Sequence, residues 1–287
     1  MAIYDQSYTP WAGTYTSRAA RIRAMIAMEL ALPFRSTWVL IVVLSAFAIV
    51  GSWLIILFLI SSAQVPPVFA VGNRIYREEF FNNTLFSMIL MVLSATVGAS
   101  LISRDVRHRA LIMYFSRSIT RADYLLGKFL ALVLFLMFVT LVPGLLLFLG
   151  QLGMSLERIG TVERMEDLGS IILHSLILTV PMSAVVLAFS SMTKRTYLAA
   201  ILWVTFYFLS MTLSPTLVAA LKTDWPKILS WPNLTAHLGN LCYAQRGTPS
   251  TPLLDCGAGL PLLILGSATV GSLAFVWWRL RSTEAEE

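Results

Sequence analysis

Long apolar runs alternate with short charged segments along the chain. Six of these runs contain 18 or more residues that are almost all apolar, and each is long enough to cross a hydrocarbon core about 30 Å thick as a helix. They span residues 39–60, 85–102, 129–149, 171–189, 198–221 and 260–278. The pattern predicts an all-α integral membrane protein in which residues 1–287 form a single transmembrane domain of six transmembrane helices.

Polar residues and a proline weaken the outer end of the fifth run. The interrupting residues are Ser210, Thr212, Ser214 and Pro215. A proline removes one backbone donor from a helix and can break it. A five-span or re-entrant arrangement is therefore an alternative to six complete spans.

Residues 18–33 form a candidate helix before the first run. The segment is rich in Ala, Met, Leu and Arg, and Pro33 closes it. Arg18 and Glu29 fall on one side of a helical wheel with Met25 between them, so the amphipathic pattern is weak. We predict an N-terminal interfacial helix on the inner membrane surface; a plain juxtamembrane extension is the alternative.

A second short helix is predicted before the last run, at residues 231–245. Ser230 is a suitable N-cap, and Pro232 falls in the first turn, where its missing N–H is harmless. Three leucines then share one face, as expected for an amphipathic helix in the outer leaflet. We interpret these leucines as an outer gate: Leu234, Leu238 and Leu241.

Composition and charge support the same topology. Hydrophobic residues make up 57% of the chain and charged residues 13%, which excludes an ordinary soluble domain. With six spans and both termini in the cytosol, 14 of the 21 Lys and Arg residues face the cytosol. An odd number of spans would remove this excess of basic residues on the cytosolic side. We expect a multi-pass protein of the cytoplasmic (inner) membrane whose positive charge faces membrane lipid, with no nucleic-acid partner.

The spans contain almost no ionisable side chains. His174 is the only one well inside a span, and it is either a packing residue or a substrate-contacting or gating residue. Gly127 and Lys128 lack the preceding glycine of a phosphate-binding loop, and no nucleophile, base and orienting group can be assembled. We therefore expect no enzymatic activity, no metal and no cofactor in this chain, and an energy source on another protein.

Two cysteines follow the fifth run and fall on the outer side in this topology. They are Cys242 and Cys256. An oxidising compartment would allow a disulfide between them. Their spacing does not distinguish that bond from two free thiols, so both possibilities stay open.

The segment 104–121, between the second and third runs, is basic and partly amphipathic. Asp105 is expected near the start of a helix, where the helix dipole favours an acidic residue. Four residues after it recur at helical spacing and are expected to share one face: Val106, Ala110, Met113 and Tyr114. Thr120 and Asp123 match a capping box that would open the helix of the third span. The features predict a helix, a turn and a helix; a loop that only sets membrane orientation is the alternative.

The residues of this loop occur in an informative order. Asp105 comes first, Leu111 follows, residues 116–121 read Ser-Arg-Ser-Ile-Thr-Arg, and residues 125–128 read Leu-Leu-Gly-Lys. This order resembles the loop of the permease subunits of type-2 ABC exporters: an acidic residue, a leucine-containing stretch, Ser-x-Pro-x-Ser-Arg and Leu-Leu-Gly-Lys. Ser118 replaces the usual proline, and Arg109-Ala110 stands where Gly-Thr is common. The six spans and the two predicted short helices are also similar to that family.

The resemblance implies that the chain is the transmembrane subunit of an ATP-driven exporter. Such a subunit pairs with a second copy or a sister subunit and docks on a separately encoded ABC ATPase that binds ATP and Mg²⁺. The coupling contacts would be the 104–121 loop and the shorter segment 192–197. Their candidate residues are Asp105, Val106, Arg107, Ala110, Met113, Tyr114, Lys194 and Arg195. The rival interpretation is a membrane scaffold or assembly factor that transports nothing.

The resemblance also implies a substrate path lined by the second and fifth spans. Its candidate residues are Ser94, Thr96, Trp203, Tyr207 and Met211. A lining that is apolar, aromatic and uncharged suits an amphipathic or apolar substrate. The spacing of Ser94, Gly98 and Ile102 has another explanation, since small residues also allow membrane helices to pack closely.

Overall fold

The computed structural model describes residues 17–62, 80–115, 119–153, 161–243 and 258–283. Within these ranges the chain is helical with short turns and contains no β-strand. Six of its helical segments are long and apolar enough to cross a membrane, which confirms the predicted all-α protein with six spans. The α-helices of this part of the chain are α1 Arg18–Ala31, α2 Thr37–Ser62, α3 Thr84–Leu93, α4 Ala99–Arg107, α5 Ala110–Phe115, α6 Arg121–Gly153, α7 Thr161–Met192, α8 Thr196–Leu221, α9 Trp231–Tyr243 and α10 Gly259–Thr283.

The fifth span is one unbroken helix. α8 continues through Pro215 and ends before Lys222, which adopts a left-handed conformation with φ of 51°. Inside a membrane the backbone has no water to bond with, so a helix is maintained around a proline that removes one hydrogen bond. The five-span and re-entrant alternatives are therefore wrong.

The second span contains an irregular turn. A π-helical segment, Ser94–Gly98, joins α3 to α4. The Ser190 hydroxyl of α7 accepts hydrogen bonds from the N–H groups of Ile102 (3.1 Å) and Ser103 (3.0 Å). The same hydroxyl donates to the Ala99 carbonyl at 2.8 Å. A side chain of the neighbouring helix therefore stabilises the backbone just after the π-helical turn, a kind of turn that is frequent at functional sites.

Gly98 lies where the second span approaches two neighbouring helices. A β-carbon at this position would lie 2.4 Å from Val186 Cγ1 and 2.9 Å from Leu132 Cδ2. α6 and α7 are therefore so close to the second span that a larger residue would displace them. The close-packing explanation for the small residues of this span is confirmed at Gly98.

α7 is the central helix of the bundle. It packs against α4, α6, α8, α9 and α10, and it is the most buried of the six spans. The least buried spans are those of α2, α8 and α10, whose outward faces are apolar. In a membrane such faces are covered by lipid or by another subunit.

The two ends of the bundle contain different elements. One end, which we call the loop end, contains α1, α5 and the turn 193–195 between α7 and α8. The opposite end, which we call the α9 end, contains residues 80–83, the 3₁₀ turn Trp225–Leu229 and α9. α1 packs along the start of α6, and a 3₁₀ turn at Pro33–Arg35 connects it to α2. The predicted N-terminal helix is confirmed as far as Ala31; its position on the membrane surface stays a prediction.

Candidate functional site

A buried cluster of polar and charged side chains joins three helices at the loop end. Lys128 of α6 is fully buried, and its Nζ lies 2.6 Å from Glu29 Oε1 of α1 and 2.7 Å from Asp105 Oδ2 of α4. Tyr124, one turn before Lys128, donates a hydrogen bond of 2.8 Å to the same Asp105 oxygen. We call Glu29, Asp105, Tyr124 and Lys128 the lysine cluster.

The lysine cluster holds α1 and α4 against α6. A buried ion is costly unless it is paired, so the two carboxylates depend on the one ammonium between them. A second ion pair, between Arg18 and Asp123 at 2.6 Å, joins the start of α1 to the start of α6. α1 is therefore attached to α6 near both of its ends.

The start of α6 has the predicted capping box. The Asp123 N–H donates to Thr120 Oγ1 at 3.3 Å, and the Thr120 N–H donates to Asp123 Oδ2 at 3.4 Å. These bonds satisfy two backbone donors that a helix start leaves unpaired. Asp123 thus caps α6 and binds Arg18 at the same time, which confirms the predicted helix start.

Asp105 lies at the end of a helix and not at its start. α4 continues the second span to Arg107, and Arg109 then adopts a left-handed conformation with φ of 53°. The expected stabilisation of Asp105 by a helix N-terminus is therefore wrong, because Lys128 supplies its positive partner instead. The apolar run stops at Ile102, but the helix continues because polar side chains on its buried face find partners on α6 and α8.

The predicted coupling residues divide by burial. Asp105 is buried, three residues are half-buried and four are exposed. The half-buried residues are Val106, Ala110 and Tyr114, and the exposed residues are Arg107, Met113, Lys194 and Arg195. The exposed residues are the part of this set that a partner protein can reach.

The apolar positions of the loop do not form one helical face. Val106 lies on α4, whereas Ala110, Met113 and Tyr114 lie on α5. The expectation of a single face is wrong because a left-handed residue separates the two helices. The Tyr114 ring packs 5.4 Å from the ring of Tyr124, and burial raises the pKa of Tyr114. Tyr114 therefore covers the lysine cluster and stays protonated at neutral pH.

The second predicted contact, the turn 193–195, lies beside the first. Ser103 Oγ near the end of α4 and Thr196 Oγ1 at the start of α8 are 3.0 Å apart. Ser190, near the end of α7, bonds to the backbone of α4 as described above. The ends of the second, fourth and fifth spans are thus joined by side-chain hydrogen bonds, and a displacement of either contact would reach all three.

The predicted path residues do not line one cavity. Ser94 and Trp203 are buried together in the core, where Trp203 Nε1 donates to Ser94 Oγ at 3.0 Å. Thr96 is exposed on another face of the π-helical turn. Tyr207 and Met211 line a cavity near the α9 end. Of these five residues, therefore, only Tyr207 and Met211 line the same cavity.

This cavity has a volume of about 610 Å³ and lies between the starts of α3 and α9 and the end of α8. Its polar groups are mostly neutral, and the hydroxyls of Ser87 and Tyr207 form a hydrogen bond. Among its described lining residues Lys227 is the one charged side chain, and it pairs with Asp224 at 2.6 Å. The cavity suits a molecule with an apolar body and a few polar groups.

α9 begins as predicted, and its leucines face the bundle. Ser230 Oγ accepts a hydrogen bond from the Asn233 N–H at 3.4 Å. The leucine stripe packs in the core beneath α9: Leu234 and Leu238 are buried and Leu241 is half-buried. A helix is confirmed over residues 231–243, and residues 244–245 lie outside the described part of the chain. An outer-gate function for the leucines stays a prediction.

His174 of α7 is packed beneath α9. The ring is fully buried and stacks on Phe81 with a centroid distance of 4.3 Å. A β-carbon at Gly239 would lie 2.1 Å from His174 Nε2, so the ring fits because residue 239 is a glycine. Neither ring nitrogen has a hydrogen-bond partner among the described residues. These contacts favour the packing interpretation of His174.

Cys242 lies in the last turn of α9. Its thiol donates to the Leu238 carbonyl at 3.3 Å, and burial raises the pKa of the thiol to about 11. Cys256 lies outside the described residues, so the disulfide stays a prediction. No group of three or more His, Cys, Asp and Glu side chains in the described ranges is placed to hold a metal ion.

Three residues of the site are not evident from the sequence: Glu29, Tyr124 and Ser190. Glu29 is the one acidic residue of α1, and Lys128 stands at the border of the third apolar run. The opposite charges of Glu29 and Lys128 are compatible with a pair, but the sequence does not show that the two residues meet. Tyr124 and Ser190 carry no comparable signal, because their partners lie on helices distant in sequence.

Comparison with known families agrees with these features. The family described as ABC-2 family transporter protein matches residues 24–238. This range contains the lysine cluster, the 104–121 loop and five of the six spans. A search of curated proteins gives no match. Because the family match covers well over half of the chain, the chain belongs to the ABC-2 transporter family and is the membrane-spanning permease of an ABC transporter.

Proposed function

We propose that this permease is the transmembrane subunit of an ATP-driven exporter of the cytoplasmic membrane. In this proposal both termini are cytosolic, and a separately encoded ABC ATPase docks on the loop end and binds ATP and Mg²⁺. The substrate is amphipathic or apolar. The family membership and the excess of basic residues on the loop side support this orientation.

The lysine cluster is the observation that carries the proposal. A loop that only set the membrane orientation would need exposed basic charge and nothing more. Here the acidic residue of the loop, Asp105, is buried against Lys128 together with Glu29 of α1. A displacement of the end of α4 therefore moves α1 and α6 as well, because separating them would leave an unpaired buried charge.

The exposed residues around the lysine cluster form the proposed ATPase contact. Met113 exposes 65% of its surface and supplies an apolar centre, while Arg107, Lys194 and Arg195 supply positive charge around it. An apolar centre with a charged rim is the usual composition of a specific protein interface. The ATPase would present an apolar groove with acidic residues at its edge.

The exposed apolar faces of α2 and α8 support a second transmembrane subunit. Both spans are mostly unburied within one chain, and α8 carries Tyr207 and Met211 toward the cavity. A second copy or a sister subunit would cover these faces and enclose the cavity between two chains. The cavity would then belong to the path of an amphipathic substrate, since its polar groups are mostly neutral.

A single substitution tests the docking. The tagged chain is purified from its own cells, and we expect an ABC ATPase to copurify. Met113→Asp places a charge in the apolar centre of the contact and should reduce the copurified ATPase at least about tenfold, since a buried unpaired charge is costly. Leu229→Asp is the matched control, because Leu229 is 42% exposed at the α9 end.

Two results would contradict the proposal. If the Met113→Asp protein inserts normally and retains the ATPase at the level of the Leu229→Asp control, the loop is not the docking site. If the unmodified chain brings down no ATPase and other membrane proteins instead, the chain is a scaffold and not an exporter subunit.

A further inference from the structure

A second cavity lies at the loop end. It has a volume of about 260 Å³ and is enclosed by α1, the start of α2 and the second span. Glu29 and Arg104 form its polar wall, and Val39, Val42 and Leu101 belong to its apolar lining. The cavity thus has an ionic side and an apolar side, as expected at the border between lipid headgroups and acyl chains.

One oxygen of Glu29 in this cavity has no hydrogen bond. Glu29 Oε1 accepts from Lys128, but Oε2 is buried and accepts no hydrogen bond from any described residue. A guanidinium nitrogen of Arg104 lies 3.8 Å from Oε2, too far for a hydrogen bond. Glu29 itself is only 3% exposed. A buried carboxylate oxygen in this state is a strong acceptor for an N–H donor that enters the cavity.

Arg104 supplies the complementary charge. Its side chain is 42% exposed, so the guanidinium borders both the cavity and the solvent. Arginine binds phosphate with two parallel hydrogen bonds. A ligand that carries an ammonium and a phosphate a short distance apart would therefore satisfy Glu29 and Arg104 together.

We propose that this cavity binds the headgroup of a phospholipid with a primary ammonium group, such as phosphatidylethanolamine. The ammonium donates to Glu29 Oε2, the phosphate binds Arg104, and the acyl chains lie along Val39 and Val42 toward the bilayer. Trp38, which is 78% exposed at the same mouth, contacts the headgroup region, where tryptophan is the preferred residue.

Charge balance selects a zwitterionic headgroup over an anionic one. Glu29 and Asp105 carry two negative charges, and Lys128 and Arg104 carry two positive charges, so the local set is neutral. A headgroup with both charges keeps this balance, whereas a purely anionic headgroup would place an extra negative charge beside Glu29. A trimethylated ammonium has no N–H and cannot donate to Oε2.

The π-helical turn gives an independent indication of a binding site. Thr96 and Val97, two residues of this turn, line the same cavity. π-helical turns interrupt α-helices at functional sites because they displace side chains from the regular positions. The proposed lipid would therefore contact α1, α2 and the second span at once and hold them together. This proposal concerns the lipid alone and does not require that the chain exports a substrate.

The test uses the purified full chain in detergent and native mass spectrometry with titrated lipids. Phosphatidylethanolamine, phosphatidylcholine and phosphatidylglycerol with identical acyl chains are compared. We expect phosphatidylethanolamine to bind about tenfold more tightly than phosphatidylcholine, because one charge-assisted hydrogen bond is lost with the N–H donors. Glycerophosphoethanolamine, which lacks acyl chains, should bind far more weakly than the lipid.

Variants identify the residues responsible. Glu29→Gln keeps the size of the side chain but turns an acceptor into a donor, so the preference for phosphatidylethanolamine over phosphatidylcholine should disappear. Arg104→Gln should weaken the binding of phosphatidylethanolamine. Arg35→Gln is the matched control, since Arg35 is exposed on the adjoining 3₁₀ turn and does not line the cavity.

Four outcomes would overturn the proposal. Equal binding of phosphatidylethanolamine and phosphatidylcholine to the unmodified chain would indicate ordinary annular lipid, and this comparison needs no variant to fold. Tightest binding of phosphatidylglycerol would indicate an anion site alone. Equal binding of glycerophosphoethanolamine would exclude a contribution of the acyl chains. A folded Glu29→Gln protein that retains the headgroup preference would exclude Glu29 as the ammonium partner.

Discussion

The two ends of the bundle bury polar atoms in different ways. At the loop end the lysine cluster buries ions, because Lys128 joins carboxylates from two other helices. At the α9 end two of the bonds between elements are neutral. Asn82 donates to the Asn240 side chain at 2.8 Å, and Ser170 donates to the Cys242 carbonyl at 2.8 Å. The loop end thus contains a buried ionic cluster, whereas these two contacts of the α9 end are neutral hydrogen bonds.

This difference implies different mechanical properties. Removing one partner of a buried ion pair costs about 3–5 kcal/mol, whereas removing one partner of a buried neutral hydrogen bond costs about 1–3 kcal/mol. We expect the loop end to move as one body and the α9 end, which also contains the larger cavity, to rearrange. A transporter needs both properties: one end receives a force, and the other opens.

The largest effect is expected at the loop end, from Lys128→Met. Methionine keeps much of the volume of lysine but leaves Glu29 and Asp105 buried without their shared counter-charge. The free energy of unfolding in detergent should fall by about 3–5 kcal/mol, measured by denaturant unfolding followed through tryptophan fluorescence. Arg23→Met, at an exposed position of α1, is the control and should change it by less than about 0.5 kcal/mol.

A triple variant shows whether ion pairing is the reason. Glu29→Met, Asp105→Leu and Lys128→Met together remove all three charges, and a buried ion pair replaced by hydrophobic residues of similar volume often costs little. We expect most of the stability to return, while the stimulation of the ATPase by substrate stays reduced because α1 and α4 are held less firmly. A triple variant as unstable as Lys128→Met would show that packing alone, and not charge, distinguishes this end.

The next effect is expected at the α9 end, from Gly239→Ala. The added β-carbon would lie within 2.5 Å of three atoms of the His174 ring, and overpacking of this kind costs about 1–3 kcal/mol. Gly271→Ala is the control, because a β-carbon at Gly271 meets no atom within 4 Å. Thermal unfolding of both proteins measures the difference.

A second substitution locates the strain at Gly239. His174→Ala combined with Gly239→Ala should recover part of the loss, because the smaller side chain leaves room for the β-carbon. The contact between α7 and α9 would prove loosely packed if Gly239→Ala and Gly271→Ala unfolded at the same temperature. The comparison between the two ends would then need a different physical basis.

The sequence predicts the spans well and the polar contacts poorly. An apolar run of 18 or more residues is stable in a bilayer as a helix, so all six spans follow from composition, including α8 despite Pro215. The capping box at Thr120 and Asp123 was also predictable, because its partners are three residues apart. Local rules work where the interacting residues are close in sequence.

The lysine cluster could not be predicted because its partners come from three separate helices. The inward face of α1 carries Arg18, Met25 and Glu29, so a search for an apolar face finds only a weak pattern. For the same reason the sequence predicts Asp105 at a helix start, although the residue lies in the last turn of α4. Charged faces of helices usually point to solvent, but Glu29 of α1 faces the bundle because Lys128 of α6 pairs with it there.

The smallest effect concerns reactivity at the α9 end and leaves stability unchanged. Because the pKa of Cys242 is raised to about 11, its thiolate at pH 8 should be about 100-fold scarcer than that of an ordinary exposed thiol. In a Cys256→Ser protein, alkylation should therefore be slow at pH 8 and accelerate about tenfold per pH unit toward pH 11. Mass spectrometry of the alkylated peptide measures the rate.

Fast alkylation at pH 8 in the resting protein would mean that the Cys242 thiol, in the last turn of α9, is not shielded from solvent. A rate that rises only while the bound ATPase hydrolyses ATP would show that the α9 end opens during turnover.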